Sequence, residues 1–159
     1  MLLTTSRNPS LKTKAFAKDL FKSFPKAVYV SRGKTSLEQL TEKARKQGKE
    51  VIVLVSEKHK LPARLQAIKV KEEGWQWFFE ANLTVLKLRK DLSNLKQKFN
   101  SLKLKLKSRS AKKLLKALKI VSDEEARFEL KEQKEVFSFF KGRQEIGPRF
   151  KVKVLRFEV

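Results

Sequence analysis

Five consecutive apolar residues, Val51-Ile52-Val53-Leu54-Val55, set the strongest limit on what this chain can fold into. The run has the length of a strand, and no polar residue alternates through it. Such a run suits a strand covered on both faces. What precedes it supplies the cover. Leu2 to Ser6 reads as a strand, and Asn8-Pro9-Ser10 as a helix start, with Asn8 as N-cap and Pro9 in the first turn. Leu11, Ala15, Phe16, Leu20, Phe21 and Phe24 follow at helical spacing, and Pro25 stops that helix. Val28-Tyr29-Val30 is a second strand. Ser36 and Gln39 form a capping box that opens a second helix, with Leu37, Leu40 and Ala44 as its apolar stripe and Gly48 as its C-cap. Strand, helix, strand, helix, strand predicts a layered α/β unit.

The rest of the chain reads as strands with one more helix. Leu65 to Lys71 and Trp75 to Ala81 flank Glu72-Glu73-Gly74 as a hairpin, with Trp75, Trp77 and Phe79 alternating onto one face. A second half is expected to start near Asn82, with Leu83 to Lys90 as another strand. Leu102, Leu104 and Leu106 alternate with Lys103, Lys105 and Lys107, which is strand periodicity. Leu114, Leu115 and Leu118 then mark a short basic helix. Phe128 and Leu130, with Val136 to Phe140, form a second hairpin, and Phe150, Val152 and Val154 begin the last strand. Thr4-Thr5-Ser6-Arg7 before a Lys-rich helix is echoed by Leu106-Lys107-Ser108-Arg109-Ser110 before another. That echo divides the chain into similar α/β halves, 1–81 and 82–159.

Charge narrows the function. The chain has 39 Lys and Arg against 17 Asp and Glu, a net charge of +22. So large an excess repels itself unless a polyanion neutralises it, which leaves nucleic acid or an anionic membrane surface. No apolar run approaches the ~20 residues of a spanning helix, and Met1 to Arg7 lacks the basic start and long apolar stretch of a signal peptide. A cytoplasmic protein is expected. The absence of cysteine removes disulfides, thiolate catalysis and Cys-type zinc sites. The single His59 reads as a turn residue without metal or triad partners. The carboxylates from Asp123 to Glu135 stand beside Arg127, Lys131 and Lys134, as on a salt-bridged surface. Neither a Walker loop nor a dinucleotide fingerprint is present. A non-catalytic chain without cofactor or metal is expected.

The charge is concentrated. Lys87 to Lys119 holds 13 Lys or Arg and one acid, Asp91. A solvated face normally mixes signs, so this stretch reads as facing a polyanion. Thr4, Thr5, Ser6, Arg7, Asn8 and Ser10 form a strand-to-helix turn, where free N–H groups and a helix dipole suit a phosphate. Plain capping is the other reading of the same residues. Arg32 and Lys34 leave the next strand on the same edge if the sheet is parallel there. Trp75, Trp77, Phe78 and Phe79 could stack on bases, though their alternation fits a half-buried strand better.

Three of these places resemble the Brix-domain family of ribosome-biogenesis proteins. They are Thr4-Thr5-Ser6-Arg7-Asn8-Pro9-Ser10 with Phe16 to Leu20 and Phe24-Pro25 behind it, the Ser31-Arg32-Gly33 turn, and Gln144-Glu145-Ile146-Gly147-Pro148-Arg149-Phe150. The resemblance implies an α/β fold of two similar halves with mixed sheets and packed helices. Each half would resemble the anticodon-binding domain of class II aminoacyl-tRNA synthetases. It also implies a short archaeal form, binding rRNA or pre-rRNA during subunit assembly, with ribosomal or assembly proteins as further partners and a monomeric state favoured. Phosphate contacts are then expected from Arg7, Arg32, Lys34, Arg109 and Arg149, with Lys112 and Lys113 on the basic helix adding to them. Gly147 and Pro148 would either present Arg149 or only start the last strand. A protein scaffold or a tRNA-binding domain are the alternatives.

Overall fold

The computed structural model describes residues 1–158 as one mixed ten-stranded sheet with four helices. In chain order the elements are β1 (Leu2–Thr5), α1 (Leu11–Ser23), β2 (Val28–Tyr29), α2 (Leu37–Lys46), β3 (Val51–Lys58), β4 (Leu61–Val70), β5 (Trp75–Lys87) and α3 (Arg89–Leu92). They continue with β6 (Lys103–Leu106), α4 (Arg109–Ala117), β7 (Phe128–Gln133), β8 (Val136–Lys141), β9 (Gln144–Glu145) and β10 (Arg149–Phe157). The sheet order is β2-β1-β3-β4-β5-β10-β8-β7-β6, with β9 beside β8.

That order repeats itself about its centre. In the first half β1 pairs parallel with β3, which continues antiparallel through β4 to β5. In the second half β6 pairs parallel with β7, which continues antiparallel through β8 to β10. β5 and β10 pair antiparallel with each other and join the two. The expected boundary at Asn82 falls inside β5. The strand runs on because Leu83 still pairs with Val152 after Asn82 has passed its last partner on β4, Arg64. The strand expected over residues 83–90 is therefore the end of β5 followed by the short α3.

One detail anchors the repeat. Glu57, near the end of β3, accepts from the Ser10 amide at 2.9 Å and from Thr13 Oγ1 at 2.6 Å. Glu132, near the end of β7, accepts from the amides of Lys107 and Ser108, both at 2.9 Å. Ser10 and Ser108 are the N-caps of α1 and α4, and each takes a helix amide on its Oγ. A carboxylate thus locks each strand-to-helix turn, worth more than a neutral bond because the acceptor is ionised. The cap of α1 is Ser10 rather than Asn8. Asn8 sits in the left-handed region at φ 51, which a short polar side chain tolerates. The β3–β4 and β7–β8 turns also match: His59 and Lys60, like Lys134 and Glu135, all have positive φ, as a two-residue hairpin with the right twist requires.

The main core lies on the face covered by α1 and α4. It joins Phe16 and Leu20 of α1 and Leu114 and Leu115 of α4 to inward residues of nearly every strand. A smaller cluster lies on the opposite face, where Leu40 and Ala44 of α2 cover Leu2, Ile52, Leu54 and Ile68. Val51–Val55 is buried along its length because helices cover both faces there. Trp75 and Trp77 pack on the α2 cluster, but Phe79 belongs to the main core. A register shift between the Ala67 and Ile68 pairings turns Phe79 to the other face, so the three aromatics do not share one.

Removing the Glu132 carboxylate leaves the amides of Lys107, Ser108 and Glu135 without that acceptor. Glu132→Ala is expected to cost about 2 kcal/mol in urea unfolding. The hydrogen bonds from Thr13 and Ser10 hold the Glu57 carboxyl below its usual range. Burial pushes Glu132 up, but the Ser108, Lys107 and Glu135 donors outweigh it and hold Glu132 low as well. A depressed folded pKa gives stability that is present above the ordinary carboxylate range and lost as pH falls through the folded value. Glu57→Gln with Glu132→Gln should lower the stability at pH 7 and flatten its decline in acid, as read by melting temperature against pH. An unchanged acid limb in the double variant would contradict the assignment.

Candidate nucleic-acid interface

The expected site residues separate into two kinds. Thr4 and Thr5 are fully buried, with Oγ1 atoms donating to Val30 O at 2.7 Å and Ser6 O at 2.9 Å. They cannot meet a ligand. Ser10 is occupied too, donating its Oγ to Lys60 O and its amide to Glu57. The carboxylate already fills the role expected of a phosphate at this helix end. Arg32 is 8% exposed and donates Nε to Thr35 O at 2.7 Å and Nη1 to Thr5 O at 3.2 Å. It ties the loop after β2 to the end of β1. β2 is parallel to β1, so Arg7, Arg32 and Lys34 do leave one edge together. Burial, then the nearby Arg7, lowers the Arg32 pKa.

The second group lies elsewhere. Five antiparallel steps separate β3 from β7, so β6 runs opposite to β1. The turn carrying Arg109 therefore opens at the other end of the sheet from the turn carrying Arg7. Arg109, Lys112 and Lys113 are exposed on α4, whose Ala111, Leu114 and Leu115 face the core. Arg149 pairs with Glu145 through both Nε and Nη2, and Glu145 also accepts from Ser138 Oγ at 2.6 Å. That pair raises the Arg149 pKa and lowers that of Glu145. Gly147 and Pro148 are buried, and a Cβ on Gly147 would lie 2.9 Å from Leu92 Cδ1. Close packing, in a φ of +79, requires the glycine.

The Lys87–Lys119 run is not one surface. Arg89 is buried, donating Nη2 to Ser23 Oγ at 2.6 Å and Nη1 to Gln97 O at 2.8 Å, with its guanidinium 4.6 Å from the Phe99 ring. Lys98 donates Nζ to Phe21 O and Phe24 O. These two cations bind the connecting segment to α1.

What remains is a sheet face that no helix covers. On the face where α2 sits, register carries from Leu54 through Gln66 and Glu80 to Asn82, Lys153, Lys151 and Val136, and on through Ser138 and Lys131 to Lys105. With Glu57 and Glu132 as matched points, Ile52 and Leu54 of the α2 cluster correspond to Arg127 and Glu129. The apolar floor that holds α2 is absent from the second half. Among the described residues no helix lies between α4 and β7. Lys105, Lys107, Lys131 and Arg149, with Glu132, Glu145 and the uncharged Gln133, Val136, Ser138 and Phe140, line a groove there of about 500 Å³. Glu129 bridges Lys105 at 3.2 Å and Lys131 at 3.9 Å, while Lys151 and Lys153 continue the face in the open. At the β6 edge Lys105 and Lys107 border a second hollow with Lys112 and Lys116 of α4. The basic surface therefore wraps from groove to helix.

Lys131, Lys151 and Lys153 were outside the expected site, while Lys105 and Lys107 were expected as part of the Lys87–Lys119 run. Their signal was present: Lys alternates with Leu over residues 102–107 and with apolar residues over 150–154, so one face of each strand is basic. Among the described residues no three His, Cys, Asp or Glu side chains cluster as a metal site, and no helix is long and apolar enough to cross a membrane.

Known proteins share this architecture. The chain superimposes over 99% of its length on 97% of a probable ribosomal biogenesis protein from Aeropyrum pernix K1, with a TM-score of 0.76 and 24% identity. It matches an archaeal Imp4-like protein over 100% of this chain and 99% of that one, with a TM-score of 0.71 and 25% identity. The fold is that of the archaeal Imp4-like proteins. In sequence, 92 residues are 33% identical to a probable Brix domain-containing ribosomal biogenesis protein of Thermococcus kodakarensis, covering 58% of this chain and 44% of that one. The counterpart from Pyrococcus furiosus is 32% identical over 92 residues, or 58% of this chain and 41% of its own. The chain is a homologue of the Brix domain-containing ribosomal biogenesis proteins. The matched stretch spans less than half the length of these relatives. No family model matches the chain.

The two classes of arginine make a direct comparison. Arg32→Ala should lower stability by about 1–3 kcal/mol, since it leaves Thr5 O and Thr35 O without donors. Arg7→Ala, at an exposed site, should stay within about 0.5 kcal/mol of the parent. Urea titrations of both variants check this, and equal losses would refute it.

Proposed function

We propose that this chain is a non-catalytic RNA-binding factor of ribosome assembly, contacting rRNA or pre-rRNA through the uncovered sheet face of its second half. The observation that carries the reading is the replacement of the α2 floor by charged residues. A face that repels a covering helix and collects Lys105, Lys107, Lys131, Lys151 and Lys153 has a polyanion as its natural cover. The names of its homologues, ribosomal biogenesis proteins, support ribosomal RNA as that polyanion. Arg109, Lys112 and Lys113 extend the contact around the β6 edge, and Arg7 and Lys34 reach a second stretch of backbone at the far end. Lysine contacts of this kind read phosphate position and RNA shape rather than base sequence.

A second reading is a scaffold for ribosomal or assembly proteins, and exposed apolar residues favour it. Leu11 and Leu61 are 84% and 49% exposed, each next in sequence to a member of the Ser10–Lys60 hydrogen bond. Both functions fit on one molecule, because this apolar pair lies at the first-half turn and the basic groove in the second half.

Binding to a structured rRNA fragment should weaken steeply with salt. About six phosphate contacts give a slope of log affinity against log salt of roughly −4 to −5. Lys131→Ala, Lys151→Ala and Lys153→Ala together should flatten it by about 2 to 3, near one per lysine. Fluorescence anisotropy over a salt series measures both. A flat salt dependence in the parent chain, or a triple variant with the parent slope, would reject this surface.

A further inference from the structure

Of the twelve phenylalanines, eleven lie in or against the main core, and each of these makes a ring-to-ring contact with another aromatic. Phe140 does neither. Among the described residues it belongs to no core cluster and meets no other ring. It stands on β8 opposite Glu129 and Glu145, on the uncovered face, and lines the basic groove. Its one aromatic-type contact is the Lys131 ammonium, 4.4 Å from the ring centroid. The matched position in the first half is Gln66, which pairs with Leu54 as Phe140 pairs with Glu129. Neither the core nor the repeat therefore requires a phenyl ring here. The ring is only partly buried and its strand partners are charged, so part of its apolar surface stays open to a ligand.

A ring in a cationic groove has a specific ligand chemistry. An unpaired nucleobase can lie on its face while lysines hold the flanking phosphates. Lys131 is suited to both states. In the free protein its ammonium rests over the ring and near Glu129, and its flexible stem lets it swing to a phosphate when a base takes the ring face. Lys105 and Lys107 border the same groove, and Gln133 offers a side-chain amide at its rim. An acidic protein segment would gain from the lysines but would not need a flat platform. We infer that Phe140 is the stacking platform for a single unpaired nucleotide, so that the groove selects rRNA with an exposed loop or bulge over continuous duplex. The inference rests on the RNA-binding reading above.

The test uses the full chain with two RNAs of equal length, a perfect duplex and the same duplex interrupted by a single-stranded loop carrying 2-aminopurine. The parent and Phe140→Tyr should quench the 2-aminopurine on binding. Phe140→Leu keeps apolar bulk without a ring. It should bind the looped RNA about tenfold more weakly, with its duplex affinity and salt slope unchanged. Its melting curve should match the parent, because Phe140 lies outside both cores. Salt-dependent binding without quenching, or a Phe140→Leu variant that binds looped RNA like the parent, overturns the platform while the RNA-binding reading stands. Loss of binding to an acidic peptide with RNA binding intact makes the groove a protein socket and also overturns it. Failure of the parent to bind either RNA removes the reading beneath it.

Discussion

The antiparallel pairing of β5 with β10 is the constraint on which the rest depends. It runs from Arg149 opposite Lys87 to Phe157 opposite Phe79, and it is the only sheet junction between the two halves among the described residues. The pairings overlap: β5 pairs with β4 up to Asn82 and with β10 from Phe79 onward, and β10 pairs with β5 along its length and also with β8 at Phe150 and Lys151. The ribbon therefore places two similar units head to tail and gives them one core. Phe150 of β10 meets Phe16 of α1 edge to face at 5.4 Å and stacks with Phe137 of β8 at 5.5 Å. Residues 88–102 then fold back over α1, where Arg89 and Lys98 spend their charges on carbonyls and a serine hydroxyl.

Similar backbones with different side chains make the two halves asymmetric. Both halves use a strand, a serine-capped helix and a carboxylate lock. Only the first half adds β2 and α2, and it has Leu2, Ile52, Leu54 and Ile68 to receive them. In the second half the matched positions are Arg127, just before β7, and Glu129 within it, on which an apolar helix stripe cannot rest without burying charge. The charges of Arg127 and Glu129 cancel, and it is the lysines of β6, β7 and β10 that make the uncovered face basic. Exposure comes from the missing apolar floor and charge from the lysines around it, and the groove with Lys105, Lys131 and Phe140 is where the two coincide.

Much of this was legible in the sequence because the signals were local. The Val51–Val55 run, the Ser36–Gln39 capping box and the alternation over 102–106 each specify one element, and each element is present. The parallel relation of β1 and β2 put Arg7 and Arg32 on one edge as expected. What failed needed long-range information. No local pattern shows that β5 continues past Asn82, since its continuation depends on β10, about 70 residues away in sequence. Thr4, Thr5 and Ser10 looked like ligand donors because hydroxyls beside a helix start suit phosphate. Their partners, Val30 and Glu57, are set by strand pairing. Arg32 and Arg89 looked like surface charge for the same reason, and the fold buries both.

The central claim is that RNA lies on the uncovered face of the second half. Ultraviolet crosslinking of the chain to an rRNA fragment, followed by mass spectrometry of the crosslinked peptides, locates the contact without altering any residue. Crosslinks concentrated in peptides from β6, β7, β8 and the start of β10, with the one at Phe140 among the strongest, are the predicted result. Crosslinks confined to α2 and the covered face of the first half would contradict it.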